Sequence, residues 1–110
     1  MEISFAKSEL KKQANDYERC KKEMGPRRAE LFQKRLNDLM AAETLEDVRH
    51  LPGRYHELSG NYKGCWACDL DQPYRLIFKP IEDPIPVDGS GRYIWNNIKG
   101  IVISDIHDYH

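Results

Sequence analysis

The chain has no apolar run near the roughly 20 residues that span a bilayer. Its opening, Met1-Glu2-Ile3-Ser4-Phe5, lacks the basic-then-apolar order of a secretory leader. Cysteine is scarce and odd in number, three in all, which fits poorly with a disulfide framework. The cytoplasm is the expected compartment. Charge of one sign is not in excess either: 17 Lys and Arg stand against 18 Asp and Glu in 110 residues, a net charge of −1. A protein that grips nucleic acid by bulk electrostatics is more basic than this. Such a role must here rest on a few placed residues, or on a partner supplying affinity. Internal repeats and low-complexity segments are absent. One domain covering residues 1–110 is expected, with room for one core and one site.

Neutrality conceals an asymmetry. Residues 1–40 carry ten Lys or Arg and seven Asp or Glu, a net +3, whereas residues 65–110 carry four against seven, a net −3. The first half reads as a solvated helical face that also suits an acidic partner or a polyanion. Residues 2–6 read as a short strand. Residues 7–23 read as a helix, with Leu10, Ala14 and Tyr17 at helical spacing among charges. Gly25-Pro26 ends it, and Pro26 suits the first turn of the next helix. Residues 27–42 carry the stripe Phe32, Leu36, Leu39, Met40 and predict that second helix. Thr44-Leu45-Glu46-Asp47 reads as a cap and one short turn, and Pro52-Gly53 as a turn.

Beyond Gly53 the period changes to two. Residues 54–58, 64–70, 74–79 and 100–107 are β-branched and aromatic runs bounded by Gly, Pro, Asp or Asn. Hairpin-length connections join the middle ones. Residues 80–99, with Pro80, Pro84, Pro86, Gly89 and Gly91, form one long loop. Its Tyr93-Ile94-Trp95 is costly to expose, so it packs down or meets a partner. The order implies an α+β fold: an N-terminal strand and two helices packed on an antiparallel β-meander. Strands 64–70 and 74–79 are expected to be central, with Trp66, Leu70, Leu76 and Phe78 in the core.

Several constellations could carry chemistry. Cys65-Trp66-Ala67-Cys68 matches C-x-x-C, but on a strand residues three apart point to opposite faces. It reads as small, apolar, buried side chains rather than as a zinc or dithiol site. No metal and no cofactor is expected. His56 sits in the alternating run Arg54-Tyr55-His56-Glu57-Leu58, where a lone histidine more often serves the fold than chemistry. Arg75, ahead of Leu76-Ile77-Phe78, must reach an acidic neighbour, solvent or a phosphate, and the guanidinium fork suits phosphate. His107-Asp108-Tyr109-His110 reads alternatively as a frayed tail, a metal tract or an acid–base cluster. If it stays extended, His107 and Tyr109 share one side and Asp108 and His110 the other.

Taken together, Arg54-x-His56-x-Leu58-x-Gly60, Lys63-Gly64-x-Trp66, Tyr74-Arg75-Leu76-Ile77-Phe78 and the final Asp108-Tyr109-His110 resemble the HigB-type toxins. These belong to the RelE/ParE superfamily of bacterial type II toxin–antitoxin systems. The resemblance covers essentially the whole chain and implies a RelE/ParE-like fold. It also implies an endoribonuclease that cleaves mRNA in the ribosomal A site, without a metal. His56, Asp108, Tyr109 and His110 are the functional residues so implied, with Arg75 on the phosphate. Arg54, Lys63 and Lys79 are the cations expected to hold substrate; Lys63 is the nearest cation to Ser59, where many members carry lysine. The implied partner is a helix-turn-helix antitoxin of the HigA type, in a hetero-oligomer.

The chemistry suits these residues. Cleavage by RNA's own 2′-hydroxyl needs a base, an acid for the leaving 5′-oxygen, and a cation beside the phosphorane. His56 and His110 are expected to be the acid–base pair, in either order, with Asp108 orienting or charge-pairing a neighbour and Tyr109 stacking on or hydrogen-bonding the substrate. Two other readings are a ParE-like gyrase inhibitor, which needs neither His56 nor His110, and a binding module without catalysis.

Overall fold

The α+β order is the order observed in a computed structural model, which describes residues 1–108. Strand β1 (Glu2–Phe5) leads into helices α1 (Ser8–Asn15), α2 (Tyr17–Met24) and α3 (Pro26–Ala41). Strands β2 (His56–Glu57), β3 (Trp66–Asp69), β4 (Tyr74–Pro80) and β5 (Gly100–Asp108) follow. The last four form the expected antiparallel meander. Strand β1 then adds to β5 in parallel, giving a mixed sheet ordered β1-β5-β4-β3-β2. The middle of the sheet is therefore β4, flanked by β5 and β3.

The helical stretch expected as one element over 7–23 is two. Asp16 takes an extended conformation (φ −140°, ψ 94°), and its carboxylate accepts the Arg19 N–H at 3.1 Å. A short acidic side chain competes well for such orphan donors, so it starts a new helix instead of continuing the old one. Gly25, with φ +88°, makes the α2–α3 corner that a side chain would strain. Pro26 then occupies the first turn of α3, where its missing N–H is not needed.

Helix α3 buries Ala29, Phe32, Leu36 and Leu39 against one sheet face. Met40, expected on that stripe, lies in the last turn beside edge strand β1 and is 58% exposed. Trp66, Phe78 and Ile103 stand opposite one another on β3, β4 and β5 and are fully buried. Leu70 and Leu76 join them, so all four core residues read from the sequence are in the core. The long 80–99 connection packs down. Asp88 caps it by accepting the N–H groups of Ser90 and Arg92 at 2.8 and 3.0 Å. The Trp95 ring meets Trp66 edge-on, 5.5 Å between centroids.

Candidate functional site

Alternation along the strands gives the sheet two faces. The helices cover one. On the other, register sets His56, Ala67, Ile77 and Asp105 in a row across β2, β3, β4 and β5. Asp69, Arg75 and His107 form the adjacent row on β3, β4 and β5. A bulge makes this possible. Phe78 pairs with Ile103 while the preceding Ile77 pairs with Asp105, so Ser104 is the extra residue. Ile103 and Ile106 both stay with the core, and Asp105 and His107 turn to the helix-free side. His56 and Arg75 thus share a face. Strand spacing and rise put their Cα atoms roughly 12 Å apart, within joint reach of one extended phosphodiester.

His56 is half-buried at the sheet edge. Its Nδ1–H donates to the Arg54 carbonyl at 2.6 Å. A carbonyl only accepts, so in the neutral ring the lone pair sits on Nε2. Arg54 itself has φ +54°, the one non-glycine residue with positive φ among those described. Its neighbour Gly53 has φ +119°, and a Cβ there would lie 2.7 Å from the Arg35 guanidinium carbon. The strand expected from residue 54 therefore begins only at His56. Arg35, reaching in from α3 and 8% exposed, donates from Nε to the Asp69 carbonyl at 2.8 Å and from Nη1 to the Pro52 carbonyl at 3.5 Å.

Asp69 is an acidic residue the sequence reading left aside. Its Oδ2 accepts from Arg54 Nη1 at 3.3 Å, and its Oδ1 lies 3.5 Å from Arg75 Nε. Oδ1 is buried without a hydrogen bond, so Arg75 holds it by charge rather than by a well-formed bond. His107 faces Arg75 directly across the β4–β5 ladder. The Tyr62 ring, from the short 3₁₀ turn Gly60–Tyr62, approaches the His107 ring at 6.4 Å. Asp108 pairs with Tyr74 and so belongs by register to the face opposite His107. Tyr74 there carries the Arg28 guanidinium 3.5 Å from its ring centre. Arg28 pairs with Asp71 at 2.9 Å, which raises its already high pKa. The other two assigned residues, Tyr109 and His110, lie outside the described residues.

Lys63 and Lys79 come together differently. Both line a cavity of about 420 Å³, together with Cys65, Ile81, Glu82, Asp83, Ile85 and Val102. Lys63 also sits 5.9 Å from the Tyr93 ring centre. The two sulfurs of the C-x-x-C segment diverge. Cys65 lines this cavity, and burial raises its thiol against the opposing pull of Lys79. Cys68 is sealed in the core, and burial pushes its thiol far above the usual range. Among the described residues no three His, Cys, Asp or Glu side chains gather as metal ligands would. No helix among them is long and apolar enough to cross a membrane.

What these residues define is a small α+β protein with one helix-covered sheet face and one face bearing an imidazole, paired arginines and a carboxylate. The family model of HigB, a RelE-like toxin of type II toxin–antitoxin systems, matches residues 3–89. The chain belongs to this HigB-like toxin family, and membership implies an antitoxin partner. The matched stretch includes Arg54, His56, Asp69 and Arg75 but stops short of β5. A YoeB/ParE toxin from Agrobacterium tumefaciens is a similar solved structure, at 17% identity over 100% of both chains and a TM-score of 0.49. No curated protein matches the chain.

Proposed function

We propose that this toxin is an endoribonuclease that cleaves mRNA, in association with the ribosome and without a metal. The single observation that carries the reading is the shared helix-free face of His56, Arg75 and His107. His56, with its lone pair on Nε2, takes the proton of the 2′-hydroxyl. That oxygen attacks the adjacent phosphorus, and Arg75 stabilises the charge on the phosphorane oxygens. His110 returns a proton to the departing 5′-oxygen, leaving a 2′,3′-cyclic phosphate and a 5′-hydroxyl. Asp108 orients the terminal segment and Tyr109 stacks on a base. Arg54, Lys63 and Lys79 hold the flanking phosphates, since cations along a strand's path supply sequence-independent affinity. The partner is a helix-turn-helix antitoxin of the HigA type that blocks the toxin in a hetero-oligomer.

The test is cleavage of mRNA by the purified toxin, with and without ribosomes and with excess EDTA. The expected products end in 2′,3′-cyclic phosphate and survive chelation. His56→Gln is expected to slow cleavage by about 10²–10⁴-fold, the usual worth of an acid–base group. Intact mRNA beside arrested cells, or full activity in folded His56→Gln, would remove this reading. DNA damage with mRNA intact would put gyrase inhibition in its place.

A further inference from the structure

We infer that Asp69 is the positioning residue of this face, holding Arg75 in its working orientation while touching no substrate itself. The inference rests on the ribonuclease reading. Asp69 is a four-way junction. Its N–H donates to the Gly53 carbonyl at 2.8 Å, and its own carbonyl accepts from Arg35 at 2.8 Å. Its carboxylate reaches Arg54 at 3.3 Å and Arg75 at 3.5 Å. One residue at the end of β3 therefore joins helix α3, the Gly53–Arg54 turn and the central strand.

Each contact has a consequence for the site. The backbone pair locks the turn in which Arg54 is held at φ +54°. That conformation aims the Arg54 carbonyl at His56 Nδ1 and so sets which ring nitrogen holds the lone pair. The carboxylate lies 3.5 Å from Arg75 Nε, and its charge restrains the swing of that guanidinium. Pre-aimed charge stabilises a transition state without reorganising as charge develops. A buried carboxylate is a poor choice for such a place unless it orients its partners. The Asp69 side chain is 13% exposed, and as an anion it opposes the binding of a phosphate next to it.

That opposition makes the role separable from simple stabilisation. Asp69→Asn keeps the size of the side chain and both backbone hydrogen bonds but removes the charge. RNA then binds about threefold more tightly, because an anion beside the phosphate is gone. Turnover falls at least tenfold, because the charge that restrains the Arg75 fork is gone. A residue that only supports the fold would not lower KM and kcat together. Arg75→Gln removes the positive charge that Asp69 restrains, and the double variant is expected to lose no more turnover than the worse single variant. Unchanged kcat in folded Asp69→Asn, or additive losses in the double variant, would overturn the inference.

A measurement on the unaltered protein needs neither activity nor a variant. By NMR, the Arg75 Nε–H vector is expected to be ordered (an order parameter above about 0.6) where that of exposed Arg92 is not. Equal disorder would sink the positioning role even if RNA cleavage is found. An ordered Arg75 together with absent cleavage would instead count against the ribonuclease reading and leave the junction standing.

Discussion

The two faces of the sheet are made by the same strands and do opposite things. Along β4, Leu76 and Phe78 turn to the helices and are fully buried. Arg75 and Lys79, one residue out of step, turn the other way. Across the strands the contrast repeats: Trp66 and Ile103 on one side, Asp69 and His107 on the other. On the first face contacts are apolar and non-directional, and each large side chain contributes several kcal/mol. On the second, beside buried Ala67 and Ile77, the pairs made by Asp69, Arg75 and Asp105 are ionic and directional, and partly exposed pairs contribute little to stability, about 0–1 kcal/mol. The lesson is that parity along a strand decides what a substitution damages: the fold on one side, the arrangement of charges on the other.

Phe78→Ala should be the most damaging single change, lowering unfolding free energy by about 3–5 kcal/mol in urea titrations. A loss below 1 kcal/mol would mean the helices do not seal that face. The covered side also sets an alkaline limit. Burial raises the thiols of Cys68 and Cys20 and the Tyr55 hydroxyl above their ordinary values. Their protons leave the unfolded chain first, so this stabilisation is complete below the ordinary thiol range and is lost as pH rises through it. Cys68 alone should remove about 2 kcal/mol between pH 8.5 and pH 10. A urea midpoint that is flat across that interval contradicts the burial of these groups.

Gly53→Ala comes next. It combines an unfavourable φ with a contact against the Arg35 guanidinium, and about 1–3 kcal/mol is expected. Because that turn carries the Arg54 carbonyl, the His56 ring signals should shift as well; unchanged signals would separate the turn from the site. Asp16→Ala, which removes the cap between α1 and α2, should cost about 1 kcal/mol. The smallest effect belongs to the helix-free face. Lys7→Ala breaks the half-exposed 2.8 Å pair with Asp105 and should change stability by less than about 0.5 kcal/mol. A larger loss, insensitive to added salt, would blur the contrast between the faces.

Much of the fold was readable because it depends on period and punctuation. The Phe32-Leu36-Leu39 stripe, the Gly25-Pro26 corner and the two-residue alternation around Trp66 and Phe78 each act locally. The break at Asp16 was less readable, since an aspartate among charged helix residues marks a cap only when the backbone before it turns aside. The parallel docking of β1 on β5 joins residues nearly a chain length apart, which no local pattern reveals. The site divides in the same way. His56 and Arg75 stood out as polar residues in alternating runs. His107 was legible only as part of the tract His107-Asp108-Tyr109-His110; simple alternation from Ile101 and Ile103 puts it in the core, and only the bulge at Ser104 sends it outward. Asp69 passed as an ordinary strand-end acid, since its importance comes from four partners on different elements.

The place of β5 in the sheet has a consequence for how this toxin comes into being. The strand formed from residues 100–108 lies between β1 and β4, not at an edge. A nascent chain that has not yet delivered those residues gives β1 no neighbour and leaves β4 with a bare flank. The imidazole opposite Arg75 is missing at the same stage. The sheet that carries Arg75 is thus not closed on both flanks until residues 100–108 have joined the chain.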